Sequence, residues 1–161
     1  EMDAKISQVT KPADSAKPAN ITMPKYEVDY NLRNADGTKR LASTDGRTIK
    51  LNPVKNVNEF FDYFQGMVDG PSSRQKKVVL DRINKQGWPL ERIKTLLNTN
   101  KLINTFLVLH EQDHIDHNDV QRAKGKDKMS EEVIDIEVRA TVNALEKVAQ
   151  MKSDEKDPFT C

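Results

Sequence analysis

The sequence predicts an α+β domain that is mainly helical, with a short β-hairpin on its N-terminal side. Between residues 26 and 53, apolar residues alternate in short runs bounded by turn signals, which is typical of strands. From residue 56 onwards, apolar residues recur three and four positions apart, which is typical of helices. A chain of 161 residues is long enough for one hydrophobic core and too short for two.

The two ends of the chain differ in composition from the middle. Residues 1–25 contain Pro12, Pro18 and Pro24 and show no sustained period, which indicates a flexible arm. The alternative for this arm is a segment that wraps around a protein partner. Residues 153–161 are polar and indicate a loose tail. We therefore expect the folded domain to span residues 26–152.

One predicted strand has a functional alternative. It consists of Thr48, Ile49, Lys50 and Leu51, which alternate in polarity, and it ends at Pro53, which cannot donate a hydrogen bond to a sheet. We expect an edge strand that covers one end of the helical core. An edge strand beside a catalytic site could also pair with an extended peptide.

Five helices are predicted after the strands. Their expected ranges are about 56–69, 73–85, 88–97, 101–118 and 130–151. The aromatic side chains of the first helix form a stripe that is typical of core packing. The basic stretch 121–128 is expected to be a solvated connector.

The fourth helix carries the strongest functional signal in the sequence, a His-Glu-x-x-His pentapeptide that begins at His110. Side chains four residues apart lie above one another on a helix, so His110 and His114 can hold one metal ion. Glu111 would lie to the side, where its carboxylate can reach a water molecule on that ion. The alternative is a pair of ordinary surface histidines. The histidines share an arc with Ile103 and Phe106, however, and a core-facing imidazole needs a polar partner or a metal.

The last predicted helix contains one carboxylate in an unusual position. Its other charges, such as Asp135, Arg139 and Glu146, fall on the side opposite to its apolar arc, whereas Glu137 lies within that arc. An unpaired carboxylate in apolar surroundings costs several kcal/mol. Glu137 is therefore expected to have a cationic or hydrogen-bonding partner.

Composition excludes several classes of function. The formal net charge is +1, which gives no electrostatic argument for nucleic acid or a membrane surface as the main partner. No apolar run approaches the roughly 20 residues of a membrane span, and no signal peptide is visible, so a soluble protein is expected. The only cysteine, Cys161, rules out an internal disulfide and a Cys-based zinc site.

Taken together, the motif residues resemble the small zincin metallopeptidases of the gluzincin type, with a layout similar to that of the ImmA/IrrE-type enzymes. The resemblance rests on the His-Glu-x-x-His helix and on the later Glu-x-x-Ala, which begins at Glu137. It covers residues 48–148. It implies one zinc ion bound by His110, His114 and Glu137, with Glu111 as the general base that activates a water molecule for hydrolysis of a peptide or protein substrate.

Two alternatives stay open at the level of sequence. His117 could be the third ligand or, like Tyr30 and Tyr63, could stabilise an oxyanion, although on a continuous helix it lies about 10 Å along the axis from His110. The chain could also be a non-catalytic zincin-like module within a larger assembly, such as a virion or a multi-subunit complex.

Overall fold

A three-stranded sheet precedes the helices in the computed structural model, which describes residues 21–156. The strands are β1 (Glu27–Val28), β2 (Ala42–Thr44) and β3 (Ile49–Leu51). Their order in the sheet is β1-β3-β2, with β1 parallel and β2 antiparallel to β3. The predicted class, α+β and mainly α, is confirmed.

Strand β3 lies in the middle of this sheet. It pairs with β1 on one side and with β2 on the other, so both rows of its main-chain groups have partners. The prediction that residues 48–51 form an edge strand open to a peptide is therefore wrong. Alternation of polarity reports which face of a strand is buried, but it carries no information about how many neighbours the strand has.

Six helices follow the sheet, with the bounds given at the end of this paragraph. Asn56 and Thr99 cap two of them, because each side chain accepts a hydrogen bond from a main-chain N–H in the first turn. The helices are α1 (Val57–Phe64), α2 (Ser73–Lys85), α3 (Leu90–Leu96), α4 (Asn100–Asp116), α5 (Asp119–Ala123) and α6 (Glu131–Lys156).

Two differences from the expected helices matter. Helix α5 lies partly within the stretch that was expected to be a solvated connector, and its first residue, Asp119, is buried. Helix α6 continues to Lys156, past the expected end near Met151, so residues 153–156 of the predicted tail are helical. Residues 21–25 of the predicted arm contain no helix or strand. The rest of the predicted arm and tail, residues 1–20 and 157–161, lies outside the described residues.

Helix α4 lies at the centre of the fold, as its apolar residues on several sides predict. It contacts β2, β3, α1 and α5. Ile103, Phe106, Val108 and Leu109 are each 2% exposed or less. Phe60 of α1 meets Phe106 edge to face with ring centroids 6.3 Å apart. The aromatic stripe of α1 is therefore part of the core.

Asn104 fastens α4 to the chain that leaves the sheet. Its Oδ1 accepts a hydrogen bond from the main-chain N–H of Val54 at 2.8 Å, and its Nδ2 donates to the Val54 carbonyl oxygen at 3.2 Å. Because Val54 is 5% exposed, water offers these main-chain groups little compensation. The amide of Asn104 thus holds the sheet against the helix that carries the histidines.

Contacts divide the chain into two compact units. One is Met23–Val148, which contains the sheet, α1 to α5 and most of α6; the end of α6 after Val148 belongs to the other. Within the described residues, no helix combines the length and the apolar character that crossing a membrane requires.

We expect Asn104→Ala to lower the free energy of unfolding by about 1–3 kcal/mol, because it leaves a buried main-chain N–H and C=O without partners. Asn58→Ala is the matched control, since Asn58 is also helical but exposed. Chemical denaturation of both variants measures the difference. Equal stabilities would show that the Asn104 amide contributes nothing to the fold.

Candidate metal centre

His110 and His114 lie on one face of α4. Their ring centroids are 4.7 Å apart, and their side chains are 15% and 9% exposed. One ligand atom from each of His110, Glu111 and His114 can be chosen such that all three lie within 4.8 Å of one another. These residues could therefore hold a metal ion.

Helix α6 brings a second carboxylate, that of Glu137, to the same two rings. Its Oε1 lies 3.3 Å from Nε2 of His110, and its Oε2 lies 3.3 Å from Nε2 of His114. Glu111 instead meets His110 at Nδ1, at 3.1 Å. Of the two carboxylates, only Glu137 faces the Nε2 atoms of both rings, so it is the better candidate for a third ligand of an ion held there.

Two of the distances within this group are compatible with zinc ligands. Nitrogen and oxygen ligands of a tetrahedral zinc ion, with bonds of about 2.0–2.1 Å, lie about 3.3–3.4 Å from one another. The two Nε2–carboxylate distances match that separation. Two imidazoles and one carboxylate are also a ligand set that zinc takes at catalytic sites.

Each imidazole has a further carboxylate next to its Nδ1 atom. Nδ1 of His110 faces Glu111 at 3.1 Å, and Nδ1 of His114 faces Asp119 at 2.8 Å. An ionised carboxylate only accepts hydrogen bonds, so each Nδ1 carries a proton. A ring protonated at Nδ1 can direct the lone pair of Nε2 towards a metal ion, and such supporting carboxylates fix the orientation of metal-binding histidines.

The charges in the cluster shift the pKa values of its members. Burial opposes protonation of His110, but hydrogen bonds with Glu111 and Glu137 outweigh it and raise the pKa of His110 to about 10. Burial and the hydrogen bond with Glu137 compete in the same way at His114, with a raised pKa as the result. At Glu137, burial alone would raise the pKa, but hydrogen bonds from both histidines lower it well below its usual range. The carboxylate is therefore ionised and both rings are protonated in this arrangement. A metal ion bound there would displace the Nε2 protons, because a ligating imidazole is neutral.

Asp119 reaches His114 because the chain turns back after α4. Asn118 adopts the left-handed conformation, with φ of 56°, which asparagine tolerates better than most residues. The turn buries Asp119, which is 2% exposed. Arg139 of α6 also donates a hydrogen bond to Oδ2 of Asp119. The sequence analysis missed Asp119, because a residue in a polar stretch gives no signal that a turn will bury it.

A second buried carboxylate, that of Asp113, ties α4 to α6. It is 3% exposed and accepts hydrogen bonds from Nε of Arg139 and from Nδ2 of Asn143, each at 3.1 Å. Arg139 had been expected on the solvated side of α6, which is wrong. Arg139 contacts Asp113 of α4 and Asp119 of α5, so its guanidinium lies between helices. The apolar residues of α6 alone do not indicate these contacts.

His117 does not join the cluster. Helix α4 ends at Asp116, and the side chain of His117, 42% exposed, points its Nδ1 at the carbonyl oxygen of Asp113, 2.9 Å away. Its role as an alternative ligand or an oxyanion stabiliser is therefore not supported by its position. Tyr30 is 64% exposed and lies beside Lys55, again away from the histidines.

The cluster opens into a cavity of about 340 Å³. His110, Glu111, His114 and Glu137 form one wall. The others include Tyr63 of α1, residues of α2 and strand β2. Residues 48–51 do not line the cavity, so the strand beside the metal centre is β2 and not the one that the sequence indicated.

We expect Glu137→Ala to lower zinc affinity by more than the roughly 10- to 100-fold cost of losing a supporting hydrogen bond, and also to destabilise the fold. His117→Ala is the comparison variant and should keep zinc content near that of the unmodified chain. Elemental analysis after zinc-replete expression and dialysis measures both. Loss of zinc in His117→Ala with retention in Glu137→Ala would reverse the ligand assignment.

We expect Asp119→Asn to weaken zinc binding by about 10- to 100-fold, since the amide holds the Nδ1 proton of His114 less strongly than a carboxylate does. Asp116→Asn serves as the control, because Asp116 is exposed and bonds to Gln112 instead. Competition with a chromophoric chelator gives both affinities. Equal affinities would mean that Asp119 does not support the metal centre.

Comparison of the chain with known protein families, curated proteins and solved structures finds no match. The interpretation of the metal centre therefore depends on its own geometry.

Proposed function

We propose that the chain is a zinc-dependent metallopeptidase in which His110, His114 and Glu137 hold one zinc ion and Glu111 is the general base. The observation that supports this most strongly is the meeting of two Nε2 atoms and one carboxylate at the wall of a cavity that Glu111 also lines. Zinc held there would supply the Lewis acidity that makes a water molecule nucleophilic near neutral pH.

Glu111 is positioned to move the proton. Its Oε2 is engaged by Nδ1 of His110, while its Oε1 has no hydrogen-bond partner among residues 21–156. In the proposed mechanism Oε1 would take a proton from the water molecule and pass it to the leaving amine, which requires the Glu111 side chain to extend past His110 towards the Nε2 side of the ring. The residue is only 6% exposed, so bulk water does not compete strongly for this carboxylate.

Strand β2 offers main-chain groups to an extended substrate. Asn52 donates its N–H to the Leu41 carbonyl oxygen at 2.8 Å, so the alternation of an antiparallel pair turns the main-chain groups of Ala42 and Thr44 away from β3. Both residues line the cavity, but the Ala42 carbonyl oxygen already accepts a hydrogen bond from Nε of Arg40 at 2.8 Å. A peptide would therefore pair with the remaining groups of this edge. An extended peptide could pair there with its scissile carbonyl near the histidines, which favours peptide or protein substrates.

The rival function is a structural metal site that only joins α4 to α6. Glu137 does bridge these helices, which favours this alternative. Structural zinc sites, however, surround the ion with four protein ligands, whereas catalytic sites keep one position open. Because Glu111 is engaged at Nδ1 of His110, His110, His114 and Glu137 would be the three ligands of such an ion, and the cavity that they line could supply a fourth position to water. We therefore favour catalysis.

We expect Glu111→Gln to keep zinc and stability but to lose peptide cleavage by about 100-fold or more, because glutamine can still accept from Nδ1 of His110 but cannot take up a proton. Glu146→Gln is the control, since Glu146 is exposed on α6. Cleavage of a mixture of unstructured peptides, followed by mass spectrometry with and without a chelator, measures activity. Unchanged cleavage in Glu111→Gln would contradict the mechanism. A zinc-loaded chain that cleaves none of the peptides would favour the structural role.

A further inference from the structure

The cavity beside the metal centre has a cationic side. Lys76 of α2, Arg40 and Lys128 line the cavity together with the two histidines. Lys76 is partly buried, with its Nζ 3.1 Å from the centroid of the Tyr63 ring. Gln75 donates to the carbonyl oxygen of Lys128 at 2.8 Å, which holds the segment after α5 close to α2.

Within residues 21–156, these three cations form no ion pair with a carboxylate. Among the described residues, no carboxylate oxygen lies within 4.0 Å of the charged groups of Lys76, Arg40 or Lys128, and Nε of Arg40 donates to the Ala42 carbonyl oxygen instead. Lys126, which lines the same cavity, does have one, since its Nζ lies 3.2 Å from Glu132. The side of the cavity near Lys76 thus carries a local excess of positive charge.

The surroundings of Lys76 disfavour the charged form of its side chain. Burial, and then the charge of Arg40, lower the pKa of Lys76 to about 8, while Glu137 across the cavity acts in the opposite direction. A cation that is partly removed from water and next to another cation is stabilised when an anion enters. Zinc bound at the histidines would add further positive charge to the cavity.

The position of Lys76 relates this charge to a substrate. A second cavity of about 240 Å³ shares Lys76, Tyr63 and Leu41 with the first and extends towards residues 68–72. Lys76 therefore lies at the junction of the two spaces. Ala42 and Thr44 of β2 line the first of these cavities, so a peptide bound along β2 would lie in the same space as Lys76.

We propose that Lys76, supported by Arg40 and Lys128, binds a carboxylate of the substrate, so that the preferred peptides carry an acidic side chain or a free C-terminal carboxylate close to the scissile bond. This substrate class rests on the proposed peptidase function. The alternative role for Lys76 is structural, through the cation–π contact with Tyr63 alone.

The test is equilibrium binding to the zinc-loaded Glu111→Gln chain, measured by calorimetry. The probes are three short peptides that differ only in charge: one with an internal aspartate and an amidated C-terminus, one with asparagine and an amidated C-terminus, and one with asparagine and a free C-terminal carboxylate. We expect one of the two acidic probes to bind at least about tenfold more tightly than the neutral probe, as a charge-assisted hydrogen bond provides. Which acidic probe is preferred tells a side chain from a chain terminus.

Variants of two neighbouring lysines separate recognition from a structural role. Lys76→Met should abolish the preference for the acidic probe, and Lys76→Arg should keep it. Lys77→Met is the matched control and should also keep it, because Lys77 is exposed on the same helix and lines neither cavity. If Lys76→Met fails to fold, the three probes are compared on the Glu111→Gln chain with and without zinc. A preference that persists without zinc is assigned to the cationic groups, and one that is lost on removal of zinc is assigned to the metal and overturns the proposal.

Three results would overturn the proposal: equal binding of acidic and neutral probes, no binding of any probe, or a preference that survives in Lys76→Met, which would assign the carboxylate to the metal. Failure of the peptidase proposal has a different signature. It would appear as absent zinc or absent cleavage, whereas the preference among probes is read from binding and needs no turnover.

Discussion

The structure depends on one shared contact, the carboxylate of Glu137 between the Nε2 atoms of His110 and His114. A carboxylate in apolar surroundings is costly unless cations or hydrogen-bond donors compensate it, and these two rings are its partners. The contact fixes the position of α6 relative to α4. Small side chains support the same approach, since Ala140 and Ala144 are 0% and 1% exposed on α6.

The other buried acids of the region are satisfied in the same manner. Asp113 accepts hydrogen bonds from Arg139 and Asn143. Asp119 accepts a hydrogen bond from Arg139 and pairs with Nδ1 of His114. Removal of one member would leave its partners buried and unpaired, which costs more than the net contribution of the pair. The network therefore ties α4, α5 and α6 into one arrangement, and the histidines face the cavity as a result of it.

Acidic and basic groups enter the cavity from different elements of the fold. Acidic groups and the imidazoles reach the cavity from α4 and α6, whereas Arg40 reaches it from the segment before β2, Lys76 from α2 and Lys128 from the segment before α6. Strand β2 also lines the cavity. Such an arrangement would orient an extended chain that carries a negative charge at one end, because opposite charges favour one register over its reverse. The small sheet, although only three strands wide, supplies the edge on which this orientation depends.

The sequence by itself determined the helical class, the aromatic core of α1, the helix that carries His110 and His114, and the unusual character of Glu137. Each of these follows from local periodicity, which the chain encodes within a few neighbouring residues. The sequence did not determine which strands flank β3, that Asp119 is buried or that Arg139 lies between helices. Those depend on a strand from another part of the chain, on the turn at Asn118 and on the arc that α4 and α5 jointly cover on α6. Only tertiary structure decides them, since they arise from contacts between segments distant in sequence and leave no local pattern.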